Sequence, residues 1–226
     1  MPRVLLSVVA LVLTSVPAAA QLESLTNTEA VSGLKQALTD GSGAAVSLLG
    51  RENGYFANPR VKIPLPKSIQ KIEGALRFMG KQKEADDLVL AMNRAAEAAV
   101  PQAKALLVDS VKKMSVQDAK GILTGGDTAA TDYFRRTTQA QLGAQFLPIV
   151  KNVTDRVGLA QQYNSLAGQG ASFGLVDKDE ATVENYVTKK ALDGLYFMIG
   201  EQEKKFRRDP VSATSDIVRK VFSTIR

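Results

Sequence analysis

Histidine, cysteine and tryptophan are all absent from the 226 residues, and each absence removes chemistry. Without Cys there is no disulfide, thiol nucleophile, thiolate zinc site or iron–sulfur cluster. Without His, the Ser-His-Asp and Cys-His arrangements are gone, and so are imidazole haem ligation and imidazole pH switching. Carboxylates, Tyr, Lys, Arg, Ser and Thr are what remain for catalysis or binding. Aromatic residues are few, at 6%, but 45% hydrophobic and 23% charged content is ordinary for a globular chain. That composition excludes a disordered or collagen-like protein.

The first twenty residues have the pattern of a secretory signal peptide. Arg3 supplies the charged start, Val4 to Leu13 is apolar apart from Ser7, and Ala18-Ala19-Ala20 fits a small-x-small cleavage site before Gln21. The apolar run is shorter than the ~20 residues a membrane-spanning helix needs. Cleavage is therefore expected after Ala20, leaving 21–226 as the exported chain. With no Cys after the site, that product is not a lipoprotein. Removing residues 1–20 takes one Arg and leaves a net charge of +5 in place of +6. The remaining length suits one large domain that buries roughly 70% of its unfolded surface. Its core must hold by packing alone.

Apolar residues recur at helical spacing nearly throughout, with no sustained alternation, so the fold class is all-α. Thr26-x-x-Glu29 reads as a capping box, followed by Ala30, Leu34, Ala37 and Leu38 on one face. Gly41 and Gly43 are expected to weaken this helix before Val46 to Leu49 resume it. Arg51 to Pro66, with Asn53-Gly54, Asn58-Pro59 and Ile63-Pro64-Leu65-Pro66, reads as a rigid extended connector. Helical stripes return in Ile69, Ile72, Leu76 and Met79, then in Ala85 to Ala99, then in Leu106 to Met114. Ser115 and Asp118 form a second capping box. Gly125-Gly126 ends that short helix, and Asp127 is placed to cap the next, through Tyr133, Phe134, Leu142 and Phe146, with Pro148 as a kink or restart and Gly158 as its end. A short helix over Leu159–Ala167 and a glycine-bearing loop over 168–178 follow. Val183 to about Arg208 is a long helix lined by apolar residues including Phe197. Asp209-Pro210 breaks it before an amphipathic terminal helix. The expectation is one compact domain, 21–226, of eight to ten helices with one Pro-rich extended connector.

Each candidate constellation has a structural and a functional reading. The glycines before Asp127 offer backbone N–H groups to an anion, but a capping carboxylate would occupy the same place, and no Lys-Ser/Thr follows to make a Walker motif. Asp118 and Asp127 are weak candidates for holding Ca²⁺ or Mg²⁺, and their spacing is not that of an EF-hand. Arg94 and Glu97, at i,i+3, read as a helix-surface ion pair. In the functional alternative, Arg94 and Arg135 line a groove and grip an anionic group through two parallel hydrogen bonds. Lys189 and Asp193 are spaced for an ion pair, and Lys190 has no such partner. Residues 201–226 carry seven basic against four acidic residues. The Ile217, Val218, Val221, Phe222 and Ile225 stripe either packs on the domain or lies on an anionic membrane surface.

Four stretches together resemble the DUF4197 family: Val61-Lys62-Ile63-Pro64-Leu65-Pro66, Met92-Asn93-Arg94-Ala95-Ala96-Glu97, Asp118-Ala119-Lys120-Gly121-Ile122-Leu123 through Tyr133-Phe134-Arg135, and Lys190-Ala191-Leu192-Asp193-Gly194-Leu195. The resemblance extends from about Leu25 to Phe222. It implies an exported helical protein of a Gram-negative bacterium, hence a periplasmic location, and it brings no catalytic residues with it.

The sequence thus favours a non-enzymatic periplasmic domain that binds an envelope component or a protein partner. The candidate contact residues are Arg94, Tyr133, Arg135 and Lys190, with no cofactor and no nucleic acid expected. Two alternatives stay open: a carboxylate or metal–carboxylate enzyme around Asp118 and Asp127, and a peripheral membrane protein that touches anionic lipid through 201–226.

Overall fold

A computed structural model describes residues 27–67, 69–70, 78–158, 160–161, 163–164, 182–209 and 216–224. The expected signal peptide, the Thr26 cap, most of the stripe over 69–79, most of the short helix after Leu159, the loop over 168–178 and Pro210 fall outside these residues. The described chain is helical, with no strand among the described residues. In order, the α-helices are α1 (Asn27–Leu49), α2 (Gln82–Ala99), α3 (Ala103–Lys113), α4 (Val116–Leu123), α5 (Ala129–Thr154), α6 (Val183–Arg208) and α7 (Asp216–Thr224). A 3₁₀ turn over Val100–Gln102 joins α2 to α3, with Pro101 inside it. The all-α class holds; the described residues do not reach the expected count of eight to ten helices.

Helices α5 and α6 are the antiparallel centre. Glu203 near the end of α6 meets Ala130 and Thr131 at the start of α5, while Glu184 at the start of α6 meets Thr154 at the end of α5. Midway, Thr138 and Tyr196 share a hydroxyl hydrogen bond of 2.8 Å. Phe134, Leu142, Phe146, Leu195 and Tyr196 fill the space between and around them, all fully buried. Each such large apolar side chain contributes about 1.5–3 kcal/mol by leaving water. Helix α2 packs on α5 and α6 with a buried face of Ala85, Leu88, Met92, Ala95, Ala96 and Ala99, in which the four alanines keep the face low and Leu88 and Met92 fill it.

Two positions where a break is expected are spanned by continuous helix. Helix α1 runs unbroken through Gly41 and Gly43. A Cβ at Gly41 would stand 3.1 Å from the Phe206 ring on α6, so this glycine makes room for a neighbour, and packing outweighs the weak helix propensity of glycine. Helix α5 likewise continues through Pro148 and ends at Thr154, four residues short of Gly158.

The expected extended connector is extended only in part. Residues 51–57 form consecutive turns, with Asn53 at a positive φ of 65°. Only 62–66 are extended, with Val61, Ile63 and Leu65 buried and Lys62 and Pro64 exposed between them. The turns are pulled inward because buried Glu97 on α2 accepts the backbone N–H groups of Tyr55 (2.9 Å) and Phe56 (3.0 Å). Tyr55, fully buried, donates its hydroxyl to the Ala191 carbonyl at 2.6 Å. The extended half is fixed by buried Asn93, which accepts from Ile63 N and donates to Ile63 O, both at 2.9 Å.

At the C-terminus, Val218, Val221 and Phe222 of α7 are buried against α1 and α6, and the Phe206 and Phe222 rings lie 6.2 Å apart. The described part of the apolar stripe, Ile217 to Phe222, packs on the domain. No helix among the described residues is long and apolar enough to cross a membrane.

Candidate functional site: a basic cleft on the α5–α6 face

The clamped segment 60–64, the first turns of α5 and the middle of α6 enclose a cleft of about 560 Å³, a size typical of small-molecule sites. Its walls carry five basic residues, Arg60, Lys62, Arg135, Lys190 and Lys204, against three acidic ones, Asp132, Asp193 and Glu201. Val61, Ile63, Pro64 and Phe197 give it an apolar side. Phe197, expected in the core lining of its helix, is 37% exposed and opens here.

Several of these charges are already engaged. Arg60 and Lys204 both bind Glu201, the lysine at 3.3 Å, and the Arg60 hydrogen bond is the main cause holding the Glu201 carboxyl below its usual pKa. Arg60 also stacks on the Phe197 ring, 4.7 Å from its centroid. Arg135 lies 4.7 Å over the Tyr196 ring and reaches Asp193 through one contact of 3.4 Å. Thr128 donates its hydroxyl to Asp132. Lys62 sits over Phe56 and Lys190 over Tyr186, and neither has a carboxylate partner among the described residues. The Tyr186 hydroxyl in turn donates to the Pro64 carbonyl at 3.1 Å, so the Lys190 wall is tied to the Pro64 wall.

Of the four contact residues expected from sequence, Arg135 and Lys190 meet on this cleft. Arg94 does not line it. It pairs with Glu97 at 2.5 Å and donates to Asn53 at 2.9 Å and Glu52 at 3.3 Å. Nor is that pair a surface one, because Glu97 is 5% exposed and holds the 51–57 turns. Tyr133 is buried and donates its hydroxyl to the Ser110 carbonyl at 2.8 Å, so its polar atom is engaged inside the fold.

The two aspartates have separate settings. Asp118 completes the expected capping box with Ser115. The Ser115 hydroxyl hydrogen bond is the main cause lowering its pKa, and Arg136 approaches at 3.5 Å. Asp127 is exposed and is not the cap of α5; the N-cap residue is Thr128, with no side-chain hydrogen bond to the helix. The orphan N–H groups at that end are met by Glu203, 5% exposed, whose carboxylate accepts from Ala130 N and Thr131 N at 3.0 Å and from the Thr131 hydroxyl at 2.9 Å. Arg207 binds Glu203 at 2.9 Å and the Ile122 carbonyl of α4 at 2.8 Å. A carboxylate does occupy the place an anion would want, but it comes from α6. Among the described residues no three carboxylate, His or Cys side chains come together as a metal cluster would.

Sequence reasoning missed Arg60, Lys62, Phe197 and Lys204. A local signal existed for the first two: charged and apolar residues alternate from Arg60 to Ile63, a pattern that turns both basic side chains outward when Val61 and Ile63 are buried. Asn93 and Glu203 gave none, because their partners lie 30 and 72–73 residues away.

The stretches that carried the family resemblance meet in this architecture. Val61 to Pro66 forms one wall, Asn93 and Glu97 clamp it, and Arg135 projects from α5. On α6, Ala191 accepts the Tyr55 hydroxyl, Asp193 pairs with Arg135, and Gly194 lets Tyr55 pack close: a Cβ there would stand 2.7 Å from the tyrosine ring. In class, this is a helical bundle with a preformed basic cleft. A family model described as "Protein of unknown function (DUF4197)" matches residues 24–223, and the chain belongs to that family. No curated protein and no solved structure matches the chain.

Proposed function

We propose that the protein is an exported, periplasmic, non-catalytic binding domain for an envelope component or a protein partner, with the α5–α6 cleft as its binding face. The observation that carries this reading is the cleft itself. Its walls are pre-set by Asn93, Glu97, Tyr55 and Tyr186, yet Lys62 and Lys190 have no carboxylate partner among the described residues. Pre-set walls lower the ordering cost of binding. Asp118 and Asp127 support catalysis poorly, since one is committed to a cap and an arginine and the other stands exposed at a loop.

Native mass spectrometry of protein purified from the periplasm without added ligand tests the reading. The expected result is a chain starting at Gln21 that retains a non-protein mass or a protein partner, with retention lost on Lys62→Gln plus Lys190→Gln. A cytoplasmic chain with intact residues 1–20 overturns the location. Retention unaffected by the double variant, or a clean mass with no partner in pull-downs, overturns the binding role of the cleft.

A further inference from the structure

We infer that the cleft takes an oxyanion, carboxylate or phosphate, attached to an apolar group, and that Asp193 holds the place of that oxyanion when the cleft is free. This inference rests on the proposed binding role and names the ligand class.

Three features on the walls point the same way. Lys62 and Lys190 present ammonium groups with no carboxylate partner among the described residues, and both line the same cavity. Both heads sit over aromatic rings that orient them. Arg135 lies over the Tyr196 ring, 4.7 Å from its centroid, but reaches Asp193 by a single 3.4 Å contact, with both side chains close to half exposed. An exposed pair of that kind contributes little. A ligand oxyanion that accepts two parallel N–H groups from the guanidinium makes the stronger arrangement. Beside these charges, Phe197, Val61 and Pro64 offer a dry contact for the rest of the ligand. A bare inorganic ion would leave that side unused, and a neutral apolar molecule would leave the ammonium groups unanswered.

Asp193 is the element that gives the inference a sign. It lies on the boundary with a second hollow between α5 and α6, lined by Gln139, Gly143, Leu147, Thr188 and Lys189, to which Arg135 and Asp193 also belong. An incoming oxyanion displaces Asp193 from Arg135, and the freed carboxylate remains solvated at that boundary. Removing its charge therefore favours the ligand, whereas removing a lysine charge opposes it.

The test titrates purified protein with phenyl phosphate and phenylacetate, using inorganic phosphate and phenol as controls, followed by calorimetry and amide chemical shifts. At least one aromatic oxyanion is expected to bind about tenfold tighter than inorganic phosphate, with phenol silent; the two oxyanions tell carboxylate from phosphate sources. Lys62→Gln and Lys190→Gln are each expected to weaken it about tenfold, and Asp193→Asn to tighten it about threefold. Thermal melts run alongside, and Lys190→Arg restores binding if Lys190→Gln disturbs the fold. Absence of binding at millimolar probe, binding indifferent to both lysines, or weaker binding by Asp193→Asn overturns the ligand class. If that happens while a mass or partner is still captured from the periplasm through Lys62 and Lys190, the binding-domain reading survives and only the ligand class falls. Capture independent of the lysines removes both.

Discussion

Glu203 satisfies two backbone N–H groups, one hydroxyl and one guanidinium from a nearly dry position. Truncating it leaves Arg207 and the start of α5 without their partner. Glu203→Ala is expected to cost about 3 kcal/mol of stability, read by urea denaturation. Two glycines in neighbouring helices should respond with opposite signs. Gly194→Ala drives a methyl into Tyr55 and is expected to destabilise by about 2 kcal/mol. Gly143→Ala meets only Leu192 Cδ1 at 3.9 Å and is expected to stabilise by about 1 kcal/mol through helix propensity. At this scale the legible features were local ones. The Ser115–Asp118 box could be read because its partners are three residues apart. Asp127 was the natural local choice of cap for α5, and a carboxylate from α6 displaced it. Arg94 and Glu97 were correctly paired by spacing, but spacing says nothing of burial, and burial turns their pair into an anchor for residues 51–57.

Most elements follow from periodicity: α2, α3, α4, α6 and α7 begin and end close to their apolar stripes and caps. Where glycine or proline was weighed against a stripe, as at Gly41 and Pro148, the stripe and its packing prevailed. Segment 51–66 went the other way, because prolines announce a non-helical path and cannot say that Asn93, Glu97 and Tyr55 will fold it against the core. Helix α7 offers a direct discrimination between its two sequence-based readings. With Val218 and Val221 each 1% exposed, Val221→Asp is expected to lower the melting temperature strongly and leave flotation with anionic vesicles unchanged. A helix lying on membrane would show the reverse, a stable protein with lost flotation.

For the whole molecule, the alkaline pH response is led by Tyr55, with buried Tyr196 raised in the same direction by the same cause. Burial, ahead of the neighbouring Asp193 and Glu97 charges, raises its pKa well above 10.0. The unfolded chain therefore loses this proton first. The stability it confers is fully present below about pH 10 and declines as pH rises beyond it, by at most about 1.4 kcal/mol per pH unit. Thermal melts between neutral and strongly alkaline pH should show this decline, and Tyr55→Phe should reduce it, leaving the part due to Tyr196, while lowering the neutral-pH melting temperature through the lost hydrogen bond. That hydrogen bond joins residues 136 positions apart, which also sets the order of events in time. Closing so long a loop costs chain entropy before any contact offsets it, so Tyr55 docks on α6 late in folding. Stopped-flow measurements on Tyr55→Phe should find unfolding accelerated and refolding nearly unchanged. A chain still incomplete beyond α5 has Asn93 and Glu97 to grip residues 51–66, but it lacks the Ala191 carbonyl that takes the Tyr55 hydroxyl and the Tyr186 hydroxyl that ties down Pro64. On the proposed binding role, the cleft is therefore ready for a ligand only once α6 is in place.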